Sequence, residues 1–242
     1  FYQEYMNQAK SPEDQIFAEE DINEAIYRGN LRHEEASDSW LIKFDDGHTE
    51  YVNIYIGVDP ASSISSRNDF SVIMVIGVTA DYDYYVIEYW RERVLPMECA
   101  DKIFDILKRY SPIKRVNIET IAYQEMLRDY VQKRSKKEGL FVPGIEKGIK
   151  GYTQKKKDRL FEGLQPMFKV GAVHLKKTHH EFIGELLDFP KGAHDDTIDA
   201  FWLATQYARG NPKAGKKKKD KKEDGTYMNM RRAYNWITGK RV

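Results

Sequence analysis

Hydrophobic positions follow two different rhythms along this chain. Residues 52–59, 70–78 and 84–90 are nearly continuous β-branched and aromatic runs. Runs of this length predict buried strands. Pro60-Ala61-Ser62-Ser63, Asn68-Asp69 and Asp81-Tyr82-Asp83 separate them with turn chemistry, so the three strands are expected to form an antiparallel meander. Past Pro96 the rhythm changes. Cys99, Ile103, Ile106, Leu107 and Tyr110 fall at helical spacing, and residues 113–119 then read as a strand. Residues 122–137 read as a helix with Met126, Leu127, Tyr130 and Val131 on one face, 140–142 as a short strand and 153–168 as another helix. Residues 172–175 read as extended, and the last helix is expected over 195–208. The sum is an α/β domain: a mixed β-sheet, antiparallel meander first and alternating helix and strand afterwards, with helices on both faces.

Residues 51–210 hold this pattern. Residues 1–50 are polar and acidic, with a helical patch over 19–27, and read as a linker or as packing against a neighbouring domain. Residues 211–242 are basic and read as a flexible tail. The chain opens on Phe1, and reads as a piece of something longer.

Composition sharpens this little until charge is located. The 242 residues are 41% hydrophobic and 13% aromatic, enough to bury a sizeable core. No apolar run approaches the roughly 20 residues that span a bilayer. The single cysteine, Cys99, excludes an internal disulfide framework and a cysteine-rich zinc site, and its place on an apolar face reads as core. Net charge is only +1, yet residues 133–159 carry ten Lys/Arg against three acids and residues 213–242 carry eleven against three. Two basic segments, +7 and +8, therefore sit on a body near −14. Clustered Lys and Arg suit a nucleic-acid backbone.

The acids are placed as tellingly. Asp59 closes a strand in Ile56-Gly57-Val58-Asp59-Pro60, and Glu119 closes another in Val116-Asn117-Ile118-Glu119-Thr120. Asp195, Asp196 and Asp199 lie in Gly192-Ala193-His194-Asp195-Asp196-Thr197-Ile198-Asp199-Ala200, at the start of the last helix. Val58 should enter the core, which turns Asp59 to the opposite face at the sheet rim. Asp195 is a candidate N-cap, and Asp196 and Asp199 share a helix face. If that helix docks beside the two strands, the carboxylates converge. Convergent carboxylates repel, and hard divalent cations with oxygen ligands resolve the repulsion. Each acid alone has an ordinary use in a turn, an ion pair or a cap; the ordered set points to metal-assisted phosphodiester chemistry.

This arrangement resembles the ribonuclease H-like nucleases, and within them the C-terminal nuclease domain of the large terminase subunit of tailed bacteriophages. Gly57-Val58-Asp59-Pro60-Ala61, Val116-Asn117-Ile118-Glu119-Thr120 and the 194–200 segment carry the resemblance, which covers roughly residues 1–210. It implies a metal-dependent endonuclease that cuts concatemeric double-stranded viral DNA during genome packaging, by two-metal hydrolysis with Mg²⁺ or Mn²⁺ and little sequence specificity. Asp59 would bridge both metals, Glu119 bind one, and the Asp195, Asp196 and Asp199 group complete the shell. The catalytic set is then Asp59, Glu119 and Asp196. Implied partners are DNA, an ATPase domain, the small terminase subunit and a portal protein; the implied location is the cytoplasm of the infected bacterial host. No phosphate-loop motif is present in these 242 residues, so ATP hydrolysis is not expected of them.

In that frame the glycine-rich basic segment becomes a DNA-backbone grip, with Lys147, Lys150, Lys155, Lys156, Lys157 and Arg159 as contacts. His179-His180, with His174, reads as a surface pair rather than a metal site. Two other readings stay open: a junction resolvase or RNA–DNA hybrid nuclease of the same fold, and a DNA-binding or assembly module whose acids hold no metal.

Overall fold

The computed structural model describes residues 15–61, 70–120, 122–145, 149–150 and 156–211. The meander expected from the three apolar runs is present as β3 (Thr49–Asp59), β4 (Ser71–Val78) and β5 (Tyr84–Glu92), paired antiparallel in that order. Every residue of β4 is buried, as its unbroken apolar run demands of a central strand. After β5 comes α2 (Pro96–Tyr110), which crosses to β6 (Ile113–Thr120), and β6 pairs parallel to β3. This parallel pairing is what brings two strands with a carboxylate near their ends, Asp59 and Glu119, side by side.

Two apolar clusters sandwich the sheet. On one face α2 and α3 (Ala122–Glu138) cover Ile54, Ile56, Val58, Val116 and Ile118 with Cys99, Ile103, Phe104, Leu127 and Val131. On the other, α4 (Lys156–Gly163), α5 (Gln165–Lys169), α6 (His180–Asp188) and α7 (Asp196–Thr205) cover Tyr55, Val72, Met74 and Ile76. Residues alternate between the two clusters along β3 and β4, as strand geometry requires.

The packed body starts earlier than the sequence pattern suggests. Residues 15–50, expected as a linker, form α1 (Glu19–Glu24), β1 (Gly29–Glu34) and β2 (Ser39–Phe44), and β2 pairs antiparallel with the first half of β3. Phe17 and Ile42 are fully buried. Ile26 bridges Leu175 beyond β8 (Val173–His174), and β8 pairs parallel with β5. The chain thereby curls the sheet's lower half toward closure around Tyr27, Phe44 and Tyr85, whose rings lie 5.0–6.3 Å apart.

Other differences are local. Residues 140–142 are not a strand; the short strand is β7 (Ile149–Lys150), parallel to β6. The helix expected over 153–168 divides at Leu164 into α4 and α5, and residues 153–155 of that expectation lie outside the described residues. α6 has no counterpart in the sequence expectation. His179, read as a surface residue, is 6% exposed; burial pushes its imidazole down to about 4, and Nδ1 accepts the Lys176 N–H. Cys99 is buried as expected, and burial, with the Asp59 charge adding, pushes its thiol up to about 12. No helix among the described residues is long and apolar enough to cross a membrane.

Candidate active site

Parallel pairing fixes the first two acids. Val58 pairs with Ile118, so the next residues along, Asp59 and Glu119, sit abreast where β3 and β6 end. Val58 and Ile118 enter the α2/α3 core, which turns Asp59 and Glu119 to the α7 face. Both are partly exposed.

α7 brings the others. It lies mainly across β3 and β4, touches β6 at its edge, and runs antiparallel to β3 and β6, a direction set by contacts along its length. In the segment just beyond its C-terminus, Asn53 and Tyr55 donate to the Arg209 carbonyl, each at 3.0 Å, and the Arg209 N–H returns a bond to Tyr55 Oη at 2.8 Å. At the last turn of the helix, Asn117 is 1% exposed and donates to the Leu203 and Gln206 carbonyls, both at 2.8 Å, while accepting from Arg115 Nε at 2.7 Å. These are carbonyls that a helix C-terminus leaves without intrahelical partners. Gly57 lies directly under Ala200 and Ala204. The first turn of α7, with Asp196 and Asp199, therefore reaches the rim where Asp59 and Glu119 stand.

The cap of that turn differs from expectation. Asp195 occupies the N-cap position but makes no side-chain capping bond. Glu185 of α6 serves instead: its carboxylate accepts the Thr197 N–H at 2.8 Å and also the Thr197 hydroxyl. Arg91 Nη2 lies 3.3 Å from the same carboxylate. Burial raises the Glu185 pKa, opposed by the Thr197 bonds and the Arg91 charge. Sequence reading passed over Glu185, although its position among Phe182, Ile183 and Leu186, an acid in a buried helical stripe, was the available signal. Glu185→Gln should cost about 2 kcal/mol, the worth of a hydrogen bond to a charged group. In a chain of this size that is about 4–8 °C of melting temperature, and an unchanged thermal melt would refute the capping role.

His194 completes the rim, with Nδ1 3.7 Å from Asp196 Oδ2 and its ring edge-on to Phe70 at 5.2 Å. Arg91 and Arg93 both lie over that phenylalanine, at 3.4 and 4.1 Å from the ring centre. Among the described residues no group of three His, Cys, Asp or Glu side chains is close enough to hold a metal ion. Adjacent carboxylates on β3 and β6, with more at the α7 turn, still make an all-oxygen donor set of the kind hard divalent cations select.

Of the expected DNA contacts, Lys157 is exposed on α4. Lys150 lies in β7, where Thr120 pairs with Lys150 and Glu119 with Ile149, so the basic strand borders the acidic one. Lys156 and Arg159 fall within α4. Lys147 and Lys155 lie outside the described residues.

A mixed sheet with helices on both faces, acids ending two parallel strands and a late acid-bearing helix across them defines a ribonuclease H-like domain. The terminase RNaseH-like domain family model matches residues 56–207, and the chain belongs to that family. Among solved structures, the large terminase from a thermophilic bacteriophage is similar over 64% of this chain and 40% of that one, at 11% identity and a TM-score of 0.44. The same protein in complex with ATP-gamma-S is similar over 62% and 38%, at 9% identity and 0.45. This chain thus spans about two fifths of the length of those proteins. No curated protein matches it.

Proposed function

We propose that this domain is the nuclease of a phage large terminase, cutting double-stranded DNA during genome packaging by divalent-metal-dependent phosphodiester hydrolysis. The observation that carries the reading is the abreast placement of Asp59 and Glu119 under the acidic first turn of α7, within a terminase RNaseH-like domain. Asp59, Glu119 and Asp196 are the catalytic set, with Asp199 and Asp195 as further candidates for the metal shell. Mg²⁺ or Mn²⁺ held there would activate water for attack on phosphorus and stabilise the departing oxygen. The protein's own part is to hold the carboxylates on rigid strand ends and a pinned helix, so that little reorganisation accompanies the reaction. The ATPase motor domain, small terminase subunit and portal protein are its proposed partners, and the cytoplasm of the infected bacterium its place of action. The basic segment beyond residue 211, which lies outside the described residues, is proposed as a contact to one of those partners or to DNA.

Supercoiled plasmid incubated with and without Mg²⁺ or Mn²⁺ tests this. Nicking and linearisation only with metal is the expected result; intact plasmid at every metal concentration refutes cleavage by this domain. A DNA-binding module without cleavage is the second reading, favoured by the lack of a three-ligand cluster among the described residues. Metal binding has its own readout. A cation that binds only the folded state, about tenfold above its Kd, adds about 1.4 kcal/mol, or about 3–6 °C of melting temperature. A melting temperature that does not move over millimolar Mn²⁺ would remove the metal from the proposal.

A further inference from the structure

Going across the strand ends from Glu119, the sheet order is β6, β3, β4, β5. Asp59 pairs with Val72, and Val72 with Arg91, so one row runs from the acids to Arg91 on a single face of the sheet. Phe70, just before β4, and Arg93, just after β5, stand one step further out over the rim. Arg91 and Arg93 share the Phe70 ring, and His194 meets its edge. Two guanidinium groups on one ring repel each other, and Glu185 balances only one of them, Arg91. Arg93 is exposed and forms no ion pair among the described residues. The Phe70 ring holds the guanidinium carbon 4.1 Å from its centre, and the exposure of Arg93 leaves its N–H groups within reach of a phosphate.

Resting on the DNA-cutting reading above, we propose that Arg93, seated on Phe70 beside His194, is a binding site for a backbone phosphate of the DNA, on the side of the acids away from the basic segment at β7. β5 and β7 each lie two strand spacings from β3, about 10 Å. At 3.4 Å of axial rise per nucleotide that is about three nucleotides to either side of the cut. The duplex then lies across the strand ends, held at β7 on one flank and at Arg93 on the other. Without such grips the acidic rim would repel the strand it cuts.

The test is equilibrium binding of a 20-base-pair duplex by fluorescence anisotropy, in EDTA, over a salt series. A lost phosphate contact lowers the slope of log K against log salt by about 0.9. Arg93→Ala should show that loss, Arg93→Lys should largely restore the slope, and the Mn²⁺-dependent melting shift should not change in either. A slope unaltered in Arg93→Ala, or a wild-type chain that does not retain the duplex at low salt, overturns the proposal. The plasmid assay keeps the two readings apart. Cleavage by the wild type with an unaltered Arg93→Ala slope removes this contact alone. The expected slope change without any cleavage removes the nuclease reading and leaves the contact.

Discussion

Asp59→Asn is expected to lower metal-dependent plasmid cleavage by at least about 10³-fold, the scale of removing one charge that stabilises a phosphoryl transition state. The substitution exchanges one oxygen for nitrogen at constant shape, so the strand and its register with Ile118 should persist. It also removes one of two like charges on neighbouring strand ends, where side by side they destabilise the sheet. The melting temperature without metal should therefore stay level or rise slightly, while the rise on adding Mn²⁺ shrinks. Loss of cleavage with a maintained fold separates chemistry from folding. Full cleavage by Asp59→Asn would sink the site assignment, whatever the family.

Gly57→Ala should be the most disruptive single methyl in the sheet. A Cβ at this position would stand 2.0 Å from the Ala200 carbonyl oxygen and 2.4 Å from the Ala204 nitrogen. Both are backbone atoms of α7, so no rotamer change relieves the clash; the helix must lift from β3. Overpacking of this sort costs about 3 kcal/mol or more, or about 6–12 °C of melting temperature. Lifting α7 also carries Asp196 and Asp199 off the rim, so cleavage should fall along with stability. A thermal melt and a plasmid assay on the same preparation check both, and a melting temperature equal to wild type would show that α7 does not sit on Gly57.

The central strands and both strand-end acids were legible because burial on two faces writes an unbroken apolar run, and a carboxylate closing such a run stands out. β1 and β2 were not. β1 is an edge strand whose six residues, Gly-Asn-Leu-Arg-His-Glu, bury almost nothing, so no period reaches the sequence. α6 was hidden for a related reason, since Glu185 interrupts its apolar stripe and only the Thr197 and Arg91 partners, distant in sequence, make that acid tolerable inside. The cap of α7 was misassigned on the same account: Asp195 had the right type and place, but a residue ten positions earlier holds the bond. The Phe70, Arg91 and Arg93 stack was beyond local reading, because it exists only through the register of β4 against β5.

The antiparallel seating of α7 gives the domain two poles. The acids stand at one, while Asn53, Tyr55 and the Val78 carbonyl tie residues 209–211 at the other. From residue 53 to 59 a strand runs about 20 Å. A fluorophore or surface tether attached at residue 211 would thus sit a duplex-width from the cutting edge. Immobilised by that end, the domain would present its blade outward, the orientation a single-molecule cleavage measurement needs.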